Sequence, residues 1–195
     1  MNVEERKGMQ VRVGLNGDDV DGDIGPISIK AIQKHLKDLM PKPNPWPKSD
    51  QTSLRKFYGN PGDESNLVSI TFPYPMYYGG KLVKTTRVHK KCAESLVRIL
   101  NAIKDKYISS RPDVAEEAQD YGGIYNFRMK RGGSTYSLHA FGAAIDLDAD
   151  DNAFKDHWPL TADMPLEVME EFAKEGWLPA GPFWGYDSMH FQATQ

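Results

Sequence analysis

Four prolines fall within the seven residues Pro41-Lys-Pro-Asn-Pro-Trp-Pro47. No helix or interior strand can run through them, because each proline removes a backbone donor and holds the chain extended. The run is the best candidate linker, and it separates an N-terminal segment, residues 1–45, from residues 46–195. The 195 residues of the whole chain suit one sizeable domain with a small appendage. A single cysteine excludes an internal disulfide and a cysteine-based zinc cluster, so any metal must be held by histidine and carboxylate. The net charge of −3 gives no general attraction to nucleic acid or to anionic lipid. The opening Met1-Asn-Val-Glu-Glu-Arg-Lys has no apolar stretch of the kind a secretory signal needs. The longest uncharged run, Ser65 to Gly80, is broken by Pro73, Pro75, Gly79 and Gly80 and falls short of the roughly 20 residues of a membrane span. A monomer made in the cytoplasm, with neither nucleic acid nor membrane as partner, is expected.

Apolar periodicity supplies the elements. Ile29, Ile32, Leu36 and Leu39 share one face of a helix expected from Ser28 to Met40. Leu67 to Phe72 and Lys81 to Val88 read as strands about a Pro/Gly turn. Val88, Cys92, Leu96, Ile99, Ile103 and Tyr107 recur at helical spacing, which predicts one long helix from Val88 to Tyr107 with Cys92 in the core. A short helix is expected over Pro112 to Gln119, and strands over Ile124 to Met129, Ala143 to Leu147 and Met189 to Thr194. Asp163 and Pro165 open a last helix that Gly176 ends. Helices and hairpin-like strands in irregular order imply α+β with a mostly antiparallel sheet and flanking helices.

Four residues stand out chemically: His139, Asp146, Asp187 and His190. Within Ala143 to Leu147, Asp146 points opposite to Ile145 and Leu147. A carboxylate in so apolar a strand is costly unless it is paired or ligates a metal. His139 lies just before, on a loop where Gly142 allows a tight turn. Two imidazoles and one carboxylate give three zinc ligands and leave a fourth position open, the arrangement of a catalytic site at the sheet. Asp187 would then be placed to take a proton from water. Spacing alone leaves the plainer reading open, in which these are ordinary core or surface residues. The remaining histidines, His35, His89 and His157, read as structural or solvated.

Ser137-x-His139-x-x-Gly142-x-Ala144-x-Asp146, followed by Asp187-x-x-His190-Phe191, resembles the zinc D-alanyl-D-alanine carboxypeptidase and L-alanyl-D-glutamate peptidase family, which includes many phage endolysins. The resemblance extends upstream to Gly123–Gly132, similar to the family's arginine-bearing strand, and to Asn152 in its Asp-rich loop. It covers about Val88 to Phe191. It implies that His139, Asp146 and His190 bind zinc and that Asp187 is the general base. It implies too that Arg128 supplies positive charge to the oxyanion or to a substrate carboxylate, with Arg131, otherwise a substrate contact, as the competing candidate. Ser137 is then either a substrate contact or a turn-stabilising hydroxyl. Ser188 stands where the murein endopeptidase branch has a histidine, and Asp187 stands where dipeptidase branches have Glu, so neither branch fits.

The activity implied is hydrolysis of peptide stems in bacterial peptidoglycan, by an enzyme that reaches the wall after release from the cell, as phage lysins do. The L-alanyl-D-glutamate bond is favoured and the terminal D-alanyl-D-alanine bond is the alternative. A catalytically silent zinc-fold binding protein, similar to the signalling domain of hedgehog proteins, is the rival, and retention of Asp187 speaks against it. Asp19 to Gln33 resembles the second half of a peptidoglycan-binding repeat whose first helix is missing or reduced to Met1–Leu15. The segment is therefore either a wall-binding element or a helix capping the peptidase domain. An EF-hand reading fails, because Gly17 and Ser28 occupy positions that need carboxylates.

Overall fold

A computed structural model describes all 195 residues. Its order is α1 (Val3–Arg12), α2 (Pro26–Leu39), α3 (Gln51–Tyr58), β1 (Leu67–Tyr78), β2 (Lys81–His89), α4 (Ala93–Ile103), α5 (Pro112–Gln119), β3 (Tyr121–Gly123), β4 (Ala144–Leu147), α6 (Leu166–Lys174), β5 (Leu178–Pro179), α7 (Ala180–Trp184) and β6 (His190–Gln192). β1 and β2 form an antiparallel hairpin, and a second sheet has the antiparallel order β3-β4-β6-β5. The expected α+β class with flanking helices and an N-terminal helical appendage is what the chain adopts. No helix is long and apolar enough to cross a membrane.

The N-terminal segment begins with a short helix inside Met1–Leu15, the stretch where a reduced first helix was expected as one alternative. Asn2 accepts from Glu5 N, and the Glu5 carboxylate accepts from Asn2 N, a reciprocal cap that starts α1. Gln10, fully buried, then ties α1 to the loop before α2. Its amide nitrogen donates to Asp21, to the Asp23 carbonyl and to the Ser28 hydroxyl, and its oxygen accepts from Gly22 N. α2 packs Ile32 and Leu36, both fully buried, into the same core as the C-terminal part of the chain. The proline run forms neither helix nor strand, as its composition requires, and bends along its length, but it does not hang free. Asn44 donates to the Gly176 carbonyl, and the buried Trp46 indole donates to the Glu175 carbonyl at 2.8 Å.

Two boundaries differ from expectation. β1 continues through Pro73 and Pro75, with its register to β2 breaking between Thr71 and Met76. A bulge on a two-stranded edge tolerates prolines that an interior strand would not. The helix read from Val88 begins only at Ala93, because Val88 and His89 end β2 and His89 N bonds to the Gly142 carbonyl. His89 is buried and bonds through Nε2 to the Tyr58 carbonyl, a structural role.

The four-stranded sheet sorts its side chains onto two faces. β4 and β6 pair Ala144 with Gln192, Ile145 with Phe191 and Asp146 with His190. Because side chains alternate, Ile145 and Phe191 face the core, where Phe191 stacks on Phe172 at 4.1 Å between ring centroids. Asp146, His190 and Gln192 take the opposite face.

Candidate metal centre and cleft

Register alone brings Asp146 and His190 opposite one another; a turn brings the third group. Ser137 caps a 3₁₀ turn over Leu138–Phe141, its hydroxyl accepting from His139 N. The turn closes at Gly142, in the left-handed region at φ 68°. Only glycine suits this point: a Cβ would crowd the Leu67 side chain and lie 3.1 Å from His89 N. His139 is thereby lowered onto the β4–β6 pair.

The three side chains converge. His190 Nδ1 lies 2.9 Å from Asp146 Oδ1, His139 Nε2 lies 3.1 Å from the same oxygen, and the two ring nitrogens are 3.1 Å apart. His139 Nδ1 bonds to the Ile124 carbonyl at 2.7 Å. A carbonyl only accepts, so Nδ1 carries the proton and Nε2 turns a lone pair into the site. Asp146 offers only lone pairs as well. Burial alone would push Asp146 up, but the His139 and His190 rings outweigh it and hold its carboxyl far below the usual range. Burial works against a charged His190 ring, yet Asp146 more than offsets this, so the ring sits above the ordinary imidazole value. Acceptor groups gathered this closely require a cation between them, whether a metal or a proton, and the two compete for the same corner. Two imidazoles and a carboxylate are the donor set of an open zinc site, and these residues fit that ion.

A cleft of about 430 Å³ opens over this centre. Arg128, Lys130 and Arg131 line it together with Phe154, Trp184, Tyr186 and Asp187. Arg128 is half-buried between the exposed Phe127 and Met129, and its Nη1 donates to the Met129 carbonyl. No strand runs from Ile124 to Met129, however. Ile124 O and Asn126 N bond to His139, and Arg128 O bonds to Ser137 N, so this backbone is spent on the His139 turn instead of on a neighbouring strand. Arg131 lies over the Phe154 ring at 5.2 Å and also acts on Asp187 through its charge. Ser137 lines the cleft while capping the turn.

Asp187 adopts φ 61°, a left-handed conformation that Asp tolerates better than most residues but that still stores strain. Burial pushes its carboxyl above the usual carboxylate range. Asn152, fully buried, donates to Asp148 and Asp163, accepts from Asp163 N and Met164 N, and offers its carbonyl to Met189 N beside His190. It fixes the Asp-rich loop to the start of β6.

Residue-level reading passed over Lys130, the aromatic wall and Gln192. Gln192 was discoverable, since it stands two residues from His190 and so on the same strand face.

Residues 131–193 match the model of a family described as D-alanyl-D-alanine carboxypeptidase. The matched stretch contains His139, Asp146, Asp187 and His190; Arg128 lies just before it. The resemblance noted from the motifs is thus found independently, and it is to a family of peptidases. No curated protein and no solved structure matches the chain.

Proposed function

We propose that this chain is a zinc-dependent peptidase that hydrolyses peptide bonds in the stems of bacterial peptidoglycan. The observation that carries the reading is the convergence of His139 Nε2, His190 Nδ1 and Asp146 Oδ1 within 3.1 Å of one another, with Asp146 and His190 lining an open cleft. Zinc held there supplies a Lewis acid that polarises the scissile carbonyl and acidifies a water. Asp187, raised in basicity by burial, takes the proton of the attacking water and passes it to the leaving amine. The guanidinium of Arg128 steadies the oxyanion or a neighbouring carboxylate, with Arg131 as the competing residue. Ser137 stands where it can meet the substrate as well as cap its turn. A half-buried, strained base beside the ligands favours an enzyme over a silent binding protein, because a structural metal needs no base.

The L-alanyl-D-glutamate bond is the favoured target. Three cations lining the cleft are more than a single terminal carboxylate needs, and they suit an anionic stem interior. Cleavage of the terminal D-alanyl-D-alanine bond is the second reading, favoured by the description of the matched family. Residues 46–195 form the peptidase domain and residues 1–45 a cap upon it, a division supported by the bonds of Arg12 and His35 to Glu170 and of Gln33 to the Pro182 carbonyl. The protein works as a monomer on the wall after release from the cytoplasm, in the manner of a lysin.

Digestion of purified muropeptides followed by mass spectrometry identifies the bond. Both His139→Ala and His190→Ala should abolish cleavage and lose the metal, since two protein ligands do not retain zinc against water. Stoichiometric zinc in the His139→Ala, His190→Ala double variant would refute the assignment.

A further inference from the structure

We infer that Gln192 is a positioning residue that decides which nitrogen of His190 faces the metal centre. The inference rests on the zinc reading above. The two imidazoles present opposite atoms to the site, His139 its Nε2 and His190 its Nδ1. For His139 the choice is made by a backbone carbonyl. For His190 the outer atom, Nε2, lies 3.2 Å from Gln192 Oε1.

An amide can present either an acceptor or a donor, so its orientation matters. Gln192 Nε2 donates to the Thr194 hydroxyl at 2.6 Å, which leaves Oε1 for the imidazole. Thr194 is fully buried and Gln192 is 4% exposed, so both partners are largely shielded from solvent. The backbone beneath them is fixed as well: Ala193 N bonds to the Ala143 carbonyl, Tyr58 Oη donates to the Ala193 carbonyl, and Thr194 N bonds back to the Gln192 carbonyl. Trp184 stacks on the His190 ring at 5.6 Å and holds its plane.

The consequence is chemical. An oxygen facing Nε2 requires the proton there and keeps the Nδ1 lone pair toward Asp146 and His139. The reversed amide would donate to Nε2, move the proton to Nδ1 and aim an N–H into the ligand cluster. Gln192 thus does with a neutral side chain what a carboxylate does in many metal sites, without adding a second negative charge beside buried Asp146.

The test compares Gln192→Met, which keeps the length and removes the acceptor, with Gln192→Glu, which restores it. Zinc dissociation constants are measured by competition with a chromophoric chelator. The His190 tautomer is read by ¹⁵N NMR in metal-stripped protein well above the imidazole titration range. We expect Gln192→Met to bind zinc about 10–100-fold more weakly and to lose the pure Nε2–H tautomer, with Gln192→Glu close to wild type in both. A role confined to packing would change stability and leave the tautomer alone. Unchanged affinity and tautomer in Gln192→Met, or a Gln192→Glu as impaired as Gln192→Met, would overturn the inference. Should Gln192→Met not fold, Thr194→Val frees the amide to turn, and an unaltered tautomer there overturns it equally. A wild-type protein that binds no zinc would sink the metal reading instead, while the tautomer still judges Gln192.

Discussion

Asp187 shows how far a single side chain can be read before any coordinates. Its place three residues before His190 suggests a base beside a ligand, and the structure adds two physical facts: a left-handed backbone and a carboxyl that burial holds above the usual range. Asp146 was legible for a different reason, because an ionisable group in an apolar strand is too costly to be incidental. Gln192 carried a weaker signal, its two-residue spacing from His190 on one strand face, which gains meaning only once its partners are known. We expect Asp187→Asn to keep the fold and the zinc, as Asn also tolerates the left-handed region. Turnover should fall about a hundredfold or more, the scale of losing a positioned general base. Zinc content together with single-turnover rates checks this. Loss of zinc in Asp187→Asn but not in Asp146→Asn would exchange the two carboxylate roles.

Elements were legible where apolar periodicity matched burial. Pro112 to Gln119, Ala143 to Leu147 and the helix opened by Pro165 lie within a few residues of expectation. Val88 to Tyr107 misled because the apolar spacing runs unbroken across a strand–helix junction: Val88 and Cys92 are both fully buried, yet they belong to different elements. α1 gave only a faint signal because its inward face relies on Met9 and a hydrogen-bonding Gln10 instead of an apolar stripe. Its attachment is polar too. Arg12 grips Glu170 through both Nε and Nη2 and also reaches Glu167, and the His35 ring meets Glu170 from α2. Arg12→Met should destabilise the protein by about 1–3 kcal/mol, because it leaves the buried Glu170 short of a charged donor while the partly exposed arginine gives up less. Hydrogen exchange should rise first in α1 and the start of α2. Uniform exchange across the molecule would show that α1 is held by its apolar contacts and not by this pair.

At the scale of the whole molecule, α5, the end of β4 and the loop into α6 meet at three carboxyl groups, Glu117, Asp148 and Asp163, whose oxygens lie within 4.8 Å of one another. Glu117 Oε2 is buried without a hydrogen-bond partner. Burial first, and then Asp148, push Glu117 from 4.5 up to about 9, and burial raises Asp120 and Asp163 in the same direction. A raised acid binds its proton more tightly when folded than when unfolded. The stabilisation it gives is therefore complete below the unfolded value of 4.5 and is lost as pH climbs toward 9. Glu170 and Glu171 run the opposite way: burial opposes their charge, but Arg12, His35, Lys106 and Lys174 outweigh it, so their contribution disappears in acid. Stability should accordingly peak in mildly acidic solution and decline through neutrality. Glu117→Gln keeps a donor for Asp148 at every pH, so its unfolding midpoint in urea should fall less steeply from about pH 5 to about pH 9 than that of the wild type. At the alkaline end the variant should be the more stable by about 1–3 kcal/mol, the cost of a poorly satisfied buried polar group. Parallel midpoint curves for the two proteins would mean that Glu117 ionises freely and that the carboxyl cluster does not set the pH dependence of the fold.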